Sequence, residues 1–126
     1  MKSTSTAVSK MRIEGLIIHL DRAASRIQQV RRLCELSPAD STDVVSAIDG
    51  QELTGDQKSC YTRNLLGPSY PFKLAPTEIA AFHSHRSCWQ TVVDNDMDAA
   101  LVLEDDVELD EINFTAAFEL AREHIS

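Results

Sequence analysis

The sequence predicts a three-layer α/β domain, with at least three mostly parallel strands and helices on both faces of the sheet. Two observations predict it. The first half of the chain has the order strand, amphipathic helix, strand, which is typical of a βαβ unit with parallel strands. A third apolar run, residues 99–103, leads directly into three consecutive carboxylates, as a buried strand that ends at a ligand site would. The length of 126 residues corresponds to one domain.

The first strand and helix are predicted near the N-terminus. Residues 15–20 form a short apolar run that is β-branched at its centre, which indicates a buried strand. Asp21 stands where a helix N-cap is expected, and the helix should extend to Leu36, before a Ser-Pro pair. The apolar residues at helical spacing in this segment are Ala23, Ile27, Val30 and Cys34.

The middle of the chain predicts a second strand and a long helix. Residues 42–48 form the strand, which is closed by the turn pair Asp49-Gly50. A short helix is expected near residues 57–66. Thr77 is the expected N-cap of a helix that extends to about residue 94, and Glu78 suits the positive end of its dipole. The residues that we expect this helix to bury are Ile79, Phe82, Trp89, Val92 and Val93.

A third strand and a final helix complete the predicted domain. The strand is predicted at residues 97–103, and because it is wholly apolar from Ala99 we expect it to be central and buried on both faces. An amphipathic helix is predicted at residues 112–125, and its apolar residues are Phe114, Ala117, Phe118 and Ala121. Residues 1–10 are rich in Ser and Thr, so we expect a disordered leader before a domain at residues 11–126.

Composition and charge exclude several classes of protein. The net charge is −8, and residues 92–126 carry eleven acidic side chains against a single Arg122. Such a surface repels phosphates, so nucleic-acid binding is not expected. No apolar run approaches the roughly 20 residues of a membrane span. Three cysteines without Cys-x-x-Cys spacing favour a reducing compartment, so we expect a cytoplasmic protein.

Glu104, Asp105 and Asp106, at the end of the third strand, are the candidate metal ligands. Consecutive carboxylates repel one another and are costly to desolvate, and ligands of open parallel sheets bind beyond the carboxyl ends of the strands. Strand alternation puts Glu104 and Asp106 on one side, where they can share Mg²⁺ or Mn²⁺, and Asp105 on the other. The alternative is an acidic turn that leads into the last helix, with Asp110 as its cap.

Two further groups of residues are weaker candidates. Asp21, Arg22 and Arg26 follow the first strand, where an arginine can meet a phosphate or a nucleobase edge, although a solvated helix face would show the same pattern. His83 and His85 are two residues apart in a predicted helix and lie on different faces, so a structural histidine is the expectation for each. The sequence contains no Gly-rich phosphate-binding loop and no Gly-x-Ser-x-Gly elbow.

Four blocks of the sequence, in this order, resemble the family 25 glycosyltransferases, the lipooligosaccharide galactosyltransferase-like enzymes that are related to the collagen galactosyltransferases. The resemblance covers about residues 12–110, and the family usually has Asn where this chain has His19. The blocks are Ile-Ile-His-Leu-Asp-Arg at residues 17–22 with Arg26, Ala-Ile-Asp-Gly at residues 47–50, Thr-Glu-Ile at residues 77–79 with Ser84, His85 and Trp89, and Leu-Val-Leu-Glu-Asp-Asp at residues 101–106.

The resemblance implies a GT-A-like, Rossmann-like domain that transfers a sugar, usually galactose from UDP-galactose, to a lipooligosaccharide or other saccharide acceptor. It implies that Glu104, Asp105 and Asp106 hold Mn²⁺ or Mg²⁺ against the donor diphosphate, and it leaves the catalytic base unassigned. Since family members are longer, we expect an N-terminal half of the family domain, located in the cytoplasm or at the inner face of the membrane. The residues that it matches to nucleotide-sugar binding are Asp21, Arg22, Arg26, Asp49, Ser84 and His85.

Two functions therefore stay open at the level of sequence. The first is a glycosyltransferase, or its donor-binding half, whose partners are a nucleotide sugar and a saccharide acceptor. The second is a non-catalytic α/β module, a truncated homologue that acts by self-association or by binding a partner, and an exposed apolar patch would be its sign. We also expect a homodimer that buries about 1,200 Å² or more of total surface.

Overall fold

The computed structural model describes residues 11–61 and 72–125, and it confirms the predicted α/β class. In these ranges three parallel strands form a sheet in the order β2-β1-β3. The strands are β1 (Ile13–His19), β2 (Ser41–Ser46) and β3 (Ala99–Glu104). The helices are α1 (Ile27–Leu36), α2 (Gly55–Ser59), α3 (Pro76–Asp94) and α4 (Glu111–His124), and short 3₁₀ turns lie at Ala24–Arg26 and Gly50–Glu52.

Helices cover both faces of the sheet, and the side chains of β1 supply both halves of the core. Ile17 packs with Leu33 of α1, and Phe114 of α4 joins the same cluster. On the other face, Ile18 packs against Cys88 of α3. Because successive side chains of a strand point to opposite faces, a central strand between two helical layers must be apolar on both. Nearly all of β1 is buried for this reason.

The third strand is not central, which corrects the prediction from its apolar sequence. Within the described ranges β3 pairs with β1 alone and lies at the edge of the sheet. Leu103 is buried, whereas Leu101 and Val102 are half-buried. A strand that is covered by helices on both faces is apolar whether it is central or at an edge, so its composition does not reveal its position.

The N-cap predicted at Asp21 is also wrong. A 3₁₀ turn separates β1 from α1, and the N-cap of α1 is Arg26, which makes no side-chain capping bond. Asp21 instead accepts a hydrogen bond of 2.9 Å from the Ser46 hydroxyl at the end of β2. Within α1, Val30 is buried as predicted, but Ile27 is exposed.

The N-cap predicted at Thr77 is wrong, because helix α3 and its N-cap begin two residues earlier. Pro76 occupies the first helical position, where its missing N–H costs nothing, and Ala75 is the N-cap. The Ala75 N–H is satisfied by Glu78, whose Oε1 accepts it at 2.8 Å. Glu78 therefore acts at the helix start through a specific hydrogen bond as well as through its charge.

The face that α3 buries differs from the predicted one. Small and polar side chains face the sheet, and they allow the helix to approach it closely. The exposed fractions of Phe82, Trp89 and Val93 are 49%, 55% and 72%, so the prediction that these residues are buried is wrong. The Phe82 and Trp89 rings contact each other edge to face, with centroids 6.3 Å apart. The buried residues of α3 are Ala80, His83, Ser84 and Cys88.

Helix α4 keeps only part of its predicted apolar face. Phe118 is buried and Phe114 is half-buried, whereas Ala117 and Ala121 are exposed. Asp110 is the N-cap of this helix, as the alternative interpretation of the acidic residues had it, because its carboxylate accepts the Asn113 N–H at 3.1 Å.

A buried arginine fastens α4 to the start of the sheet. Arg122 is 7% exposed and lies over the Phe118 ring, 5.1 Å from its centroid. Its guanidinium donates to the Met11 carbonyl at 2.6 Å and to Asp40 at 3.0 Å. Asp40 also accepts the Ile13 N–H at 2.7 Å, so one carboxylate joins α4 to the first residue of β1. The hydrogen bonds from Arg122 and Ile13 hold the pKa of Asp40 below its usual range.

Some predictions fall where the structure describes little or nothing. The leader at residues 1–10 and residues 62–66 of the predicted short helix lie outside the described residues, and α2 accounts for the start of that helix. Among the described helices, none combines the length and the apolar character that crossing a membrane requires.

We predict that Asp40→Asn lowers the free energy of unfolding by about 1 to 3 kcal/mol. This is the usual cost, about 1 to 3 kcal/mol, when a buried charged donor, here the Arg122 guanidinium, loses its charged acceptor. The folded-state pKa of Asp40 is depressed, so its contribution is present above the ordinary aspartate pKa and is lost as the pH falls through the folded value. The difference from the wild type should therefore shrink in acid. Denaturant unfolding at neutral and acidic pH measures both effects.

Asp43→Asn is the matched control for this variant. Asp43 is an exposed carboxylate on β2, the strand that begins immediately after Asp40, and we expect its replacement to change stability by less than about 0.5 kcal/mol. Equal destabilisation by the two substitutions would contradict a specific role for the Asp40–Arg122 pair.

Candidate functional site

A cleft of about 230 Å³, lined by both apolar and charged residues, lies beyond the carboxyl ends of the strands, against the N-terminal half of α3. The carboxyl ends of parallel strands meet at one edge of a sheet, and this edge is where open α/β folds bind ligands. The cleft brings together most of the residues that the sequence suggested. The suggested residues that line it are Arg22, Arg26, Asp49, Ser84, His85, Glu104 and Asp105.

Asp21 and Asp106 do not line this cleft. Asp21 lies in an adjoining cavity of about 410 Å³, which shares Arg22 and Asp49 with the cleft. Asp106 is exposed in the turn after β3, close enough to Arg26 for its charge to help raise the pKa of that guanidinium.

Asp105 is buried and held by two partners. Its side chain is 8% exposed, and its backbone N–H donates to the Ile18 carbonyl at 3.1 Å, which continues the pairing of β3 with β1. Oδ2 lies 2.8 Å from His19 Nδ1, and Oδ1 accepts from Arg26 Nη1 at 2.8 Å. An ionised carboxylate only accepts hydrogen bonds, so the imidazole donates through Nδ1. Both oxygens of Asp105 are thus engaged by groups of this chain.

Glu104 lies on the opposite side of the strand end from Asp105. Its carboxylate faces α3, where Oε2 is 3.8 Å from His85 Nε2, and its side chain is 53% exposed. His85 is half-buried, whereas its neighbour His83 is buried and donates from Nε2 to the Gln57 carbonyl at 2.8 Å. The expectation of a structural histidine fits His83, and His85 is the histidine that faces the cleft.

Arg22 and Asp49 form a second ion pair in the cleft. Nε lies 2.6 Å from Oδ2 and Nη2 lies 3.3 Å from Oδ1, so the arginine contacts both carboxylate oxygens. The arginine hydrogen bonds, followed by that of the Gln51 N–H, lower the pKa of Asp49, and Asp49 in turn raises the pKa of Arg22. The pair connects the end of β1 to the loop after β2. It keeps a permanent positive charge at the boundary of the two cavities.

Ser84 and Gly50 fix α3 at the edge of the cleft. The Ser84 hydroxyl donates to the Ala80 carbonyl at 2.8 Å and accepts the Ile48 N–H at 2.9 Å, which ties α3 to the segment after β2. A Cβ at Gly50 would lie 3.0 Å from Thr77 Cα and N, so the start of α3 can contact this backbone only because the residue is glycine. The role that these contacts assign to Ser84 is positional, since its hydroxyl is engaged within the fold.

The donor set fits a divalent cation only in part. Glu104 and Asp106 are exposed carboxylates, and Mg²⁺ or Mn²⁺ is commonly bound by one or two carboxylates together with water and substrate phosphates. Each oxygen of Asp105 already accepts one hydrogen bond, from His19 or from Arg26, so a cation bound by Asp105 would share these oxygens with the two donors. Within residues 11–61 and 72–125, no group of three or more His, Cys, Asp or Glu side chains is arranged to hold a metal ion.

His19 is the site residue that sequence reasoning missed. It is the last residue of β1, it is 9% exposed, and it holds one oxygen of Asp105. A polar residue directly after the apolar run Leu16–Ile18 of the central strand was the available signal, because such a position lies at the carboxyl edge of the sheet.

These features define an α/β protein with a parallel sheet and a cleft of mixed charge at the carboxyl ends of its strands. The sequence model of "Glycosyltransferase family 25 (LPS biosynthesis protein)" matches residues 12–126, and the chain belongs to this family. Procollagen galactosyltransferase 2 of Mus musculus is 36% identical over 72 residues, which is 53% of this chain and 11% of that protein. The Homo sapiens protein of the same name matches with the same figures.

The chain is therefore similar to a small part of these relatives, since the match covers 11% of their length. No solved structure matches the chain with significance. The family assignment is the one that the sequence blocks around the cleft suggested, and it confirms that resemblance.

We predict that Gly50→Ala destabilises the protein by about 1 to 3 kcal/mol, the usual cost of overpacking. The added methyl group meets the backbone of Pro76 and Thr77, which cannot rotate away as a flexible side chain could. Thermal unfolding measures the effect. Gly55→Ala is the control, because a Cβ at Gly55 has no neighbour within 4 Å. If both variants melt together with the wild type, the close approach of α3 to Gly50 is not a constraint.

Proposed function

We propose that this chain is the donor-binding part of a glycosyltransferase that transfers a sugar from a nucleotide diphosphate sugar to a saccharide acceptor. The observation that carries the proposal is the cleft at the carboxyl ends of the strands, where two arginines face a strand that ends in carboxylates. Family membership supports the reaction class. Galactose as the sugar is suggested by the name of the relatives, and a lipopolysaccharide-type acceptor by the description of the family.

The two arginines are the proposed phosphate ligands. Arg26 uses Nη1 for Asp105 and keeps about half of its side chain exposed, so donors of the same guanidinium are available to a diphosphate. Arg22 is similarly 55% exposed while paired to Asp49. Each pair fixes the direction of an otherwise flexible side chain, which reduces the entropy lost when a ligand binds.

Glu104 and Asp106 are the proposed cation ligands, and Mn²⁺ or Mg²⁺ bound there would offset the charge of the departing diphosphate. The side chains proposed to contact the rest of the donor are those of His85 and Asp49, with Asp21 in the adjoining cavity. The two ligand-facing elements, β3 and α3, approach at His85 and Glu104. A donor in the cleft would therefore lie between them.

We predict that the wild type binds UDP saturably in the presence of Mn²⁺ and that Glu104→Gln or Asp106→Asn weakens this binding by about 1 to 3 kcal/mol, the scale of one charge-assisted contact. Asp106→Asn should leave the metal-free protein equally stable or slightly more stable, because it removes a charge from a repulsive cluster. Isothermal calorimetry gives the affinities, and thermal melts with and without Mn²⁺ plus UDP give the stabilities.

Glu108→Gln is the matched control. Glu108 is an exposed carboxylate in the same acidic stretch, beyond the cleft lining, and its replacement removes the same charge. UDP affinity should change little. A folded wild-type protein that binds no UDP in the presence of Mn²⁺ would overturn the proposed donor site and favour the non-catalytic module. If Glu108→Gln and Glu104→Gln lose the same UDP affinity, the loss reflects the net charge of the acidic stretch and Glu104 is not a specific cation ligand.

A further inference from the structure

We propose that His19 is a positioning residue: together with Asp105 it holds the Arg26 guanidinium in place for an anionic ligand in the cleft. The choice of ligand rests on the proposed function, whereas the positioning rests on geometry alone. His19, Asp105 and Arg26 form a chain of two hydrogen bonds, each 2.8 Å long, from the end of β1 to the 3₁₀ turn before α1. The side chains of His19 and Asp105 are buried, whereas about half of the Arg26 side chain is exposed to solvent.

The histidine is needed because the carboxylate is buried. An isolated buried carboxylate is costly, and each of its oxygens requires a donor. Arg26 satisfies Oδ1, and His19 Nδ1 satisfies Oδ2 from the interior side. Without the imidazole, the Asp105 side chain would rotate towards water or towards other donors. Its Oδ1 would then no longer define where Arg26 lies.

The backbone makes the arrangement rigid at one end. His19 ends the central strand and Asp105 follows the edge strand, and the Asp105 N–H bonds to the Ile18 carbonyl between them. The backbone of both residues is thus tied to the sheet, whereas Arg26 lies in the 3₁₀ turn before α1. A long, exposed side chain gains a defined position from two buried neighbours.

The adjacent carboxylates Glu104 and Asp105 have different proposed roles: Glu104 is a cation ligand, and Asp105 positions Arg26. Loss of a cation ligand can matter only when the cation is present. Loss of a residue that positions Arg26 should weaken diphosphate binding whether or not a cation is present. UDP affinity measured in EDTA therefore reports the positioning role without the contribution of the metal.

The first experiment compares UDP affinity in EDTA and in Mn²⁺ for variants of the three hydrogen-bonded residues, His19, Asp105 and Arg26. We expect Arg26→Ala, Asp105→Asn and His19→Leu each to weaken binding about tenfold in both buffers. His19→Asn should stay within about twofold of the wild type, because the amide nitrogen of asparagine can take the place of Nδ1. In an Arg26→Ala background, His19→Leu should cause no further loss.

A matched control separates positioning from the general cost of losing a buried histidine. His83 is as buried as His19 and also donates to an oxygen, but its acceptor is the Gln57 backbone carbonyl, whereas that of His19 is the carboxylate that holds Arg26. His83→Leu should lower the melting temperature and leave the UDP affinity unchanged. If His19→Leu behaves in the same way as His83→Leu, the role of His19 is structural only and the inference is wrong.

A second readout needs no ligand. Pairing with a fixed carboxylate slows rotation of the guanidinium, so the Arg26 Nη1–H resonance should be resolved in nitrogen-edited NMR spectra of the wild type and of His19→Asn. It should broaden or average in His19→Leu and Asp105→Asn. If this pattern appears in a protein that binds no UDP, the proposed function fails and the positioning of Arg26 stands. A resonance unchanged in folded His19→Leu overturns the inference regardless of binding.

Discussion

The parallel pairing of β1 with both of its neighbours is the constraint on which the rest of the molecule depends. β1 is in register with β2 from Glu14 and with β3 from Ile13, so all three strands end at the same edge of the sheet. The polar groups that follow the strands are thereby brought to one edge of the sheet. Residues separated by more than 80 positions in the sequence become hydrogen-bonded partners there, as His19 and Asp105 do.

The cleft can contain several carboxylates because acidic and basic side chains alternate in it and form ion pairs. The chain as a whole carries a net charge of −8. In the cleft, however, Asp49 accepts a hydrogen bond of 2.6 Å from Arg22, and Asp105 accepts one of 2.8 Å from Arg26. Those pairs use part of each guanidinium and leave the remainder exposed. A cluster of acids without such partners would repel a diphosphate, whereas a cleft with two fixed cations and nearby carboxylates can accept both a diphosphate and a metal ion.

Much of the fold could be predicted from the sequence, because many of its features are determined by short stretches of neighbouring residues. Strand, helix and strand order, the Asp110 cap and the placement of acids beyond β3 depend on short stretches of chain, and all of them are found in the structure. The errors concern choices that only the assembled fold decides. Whether β3 is central depends on its partners, and α3 buries Ala80 and Cys88 instead of Trp89 because close helix–sheet contact favours small side chains over large ones. The roles of His19 and Arg122 depend on partners far away in sequence, Asp105 and Asp40.

The alternation of side chains along β3 finally explains why neighbouring acids need different functions. Glu104 and Asp105 leave the sheet on opposite sides, one towards His85 and the other towards Arg26. A buried carboxylate that accepts two hydrogen bonds is less accessible to a hydrated cation than an exposed one, and it is the better support for an arginine. A strand end that carries two or three acids can thus position a cationic side chain on one side and present exposed carboxylates on the other. In the proposed function, both sides act on the same anionic ligand.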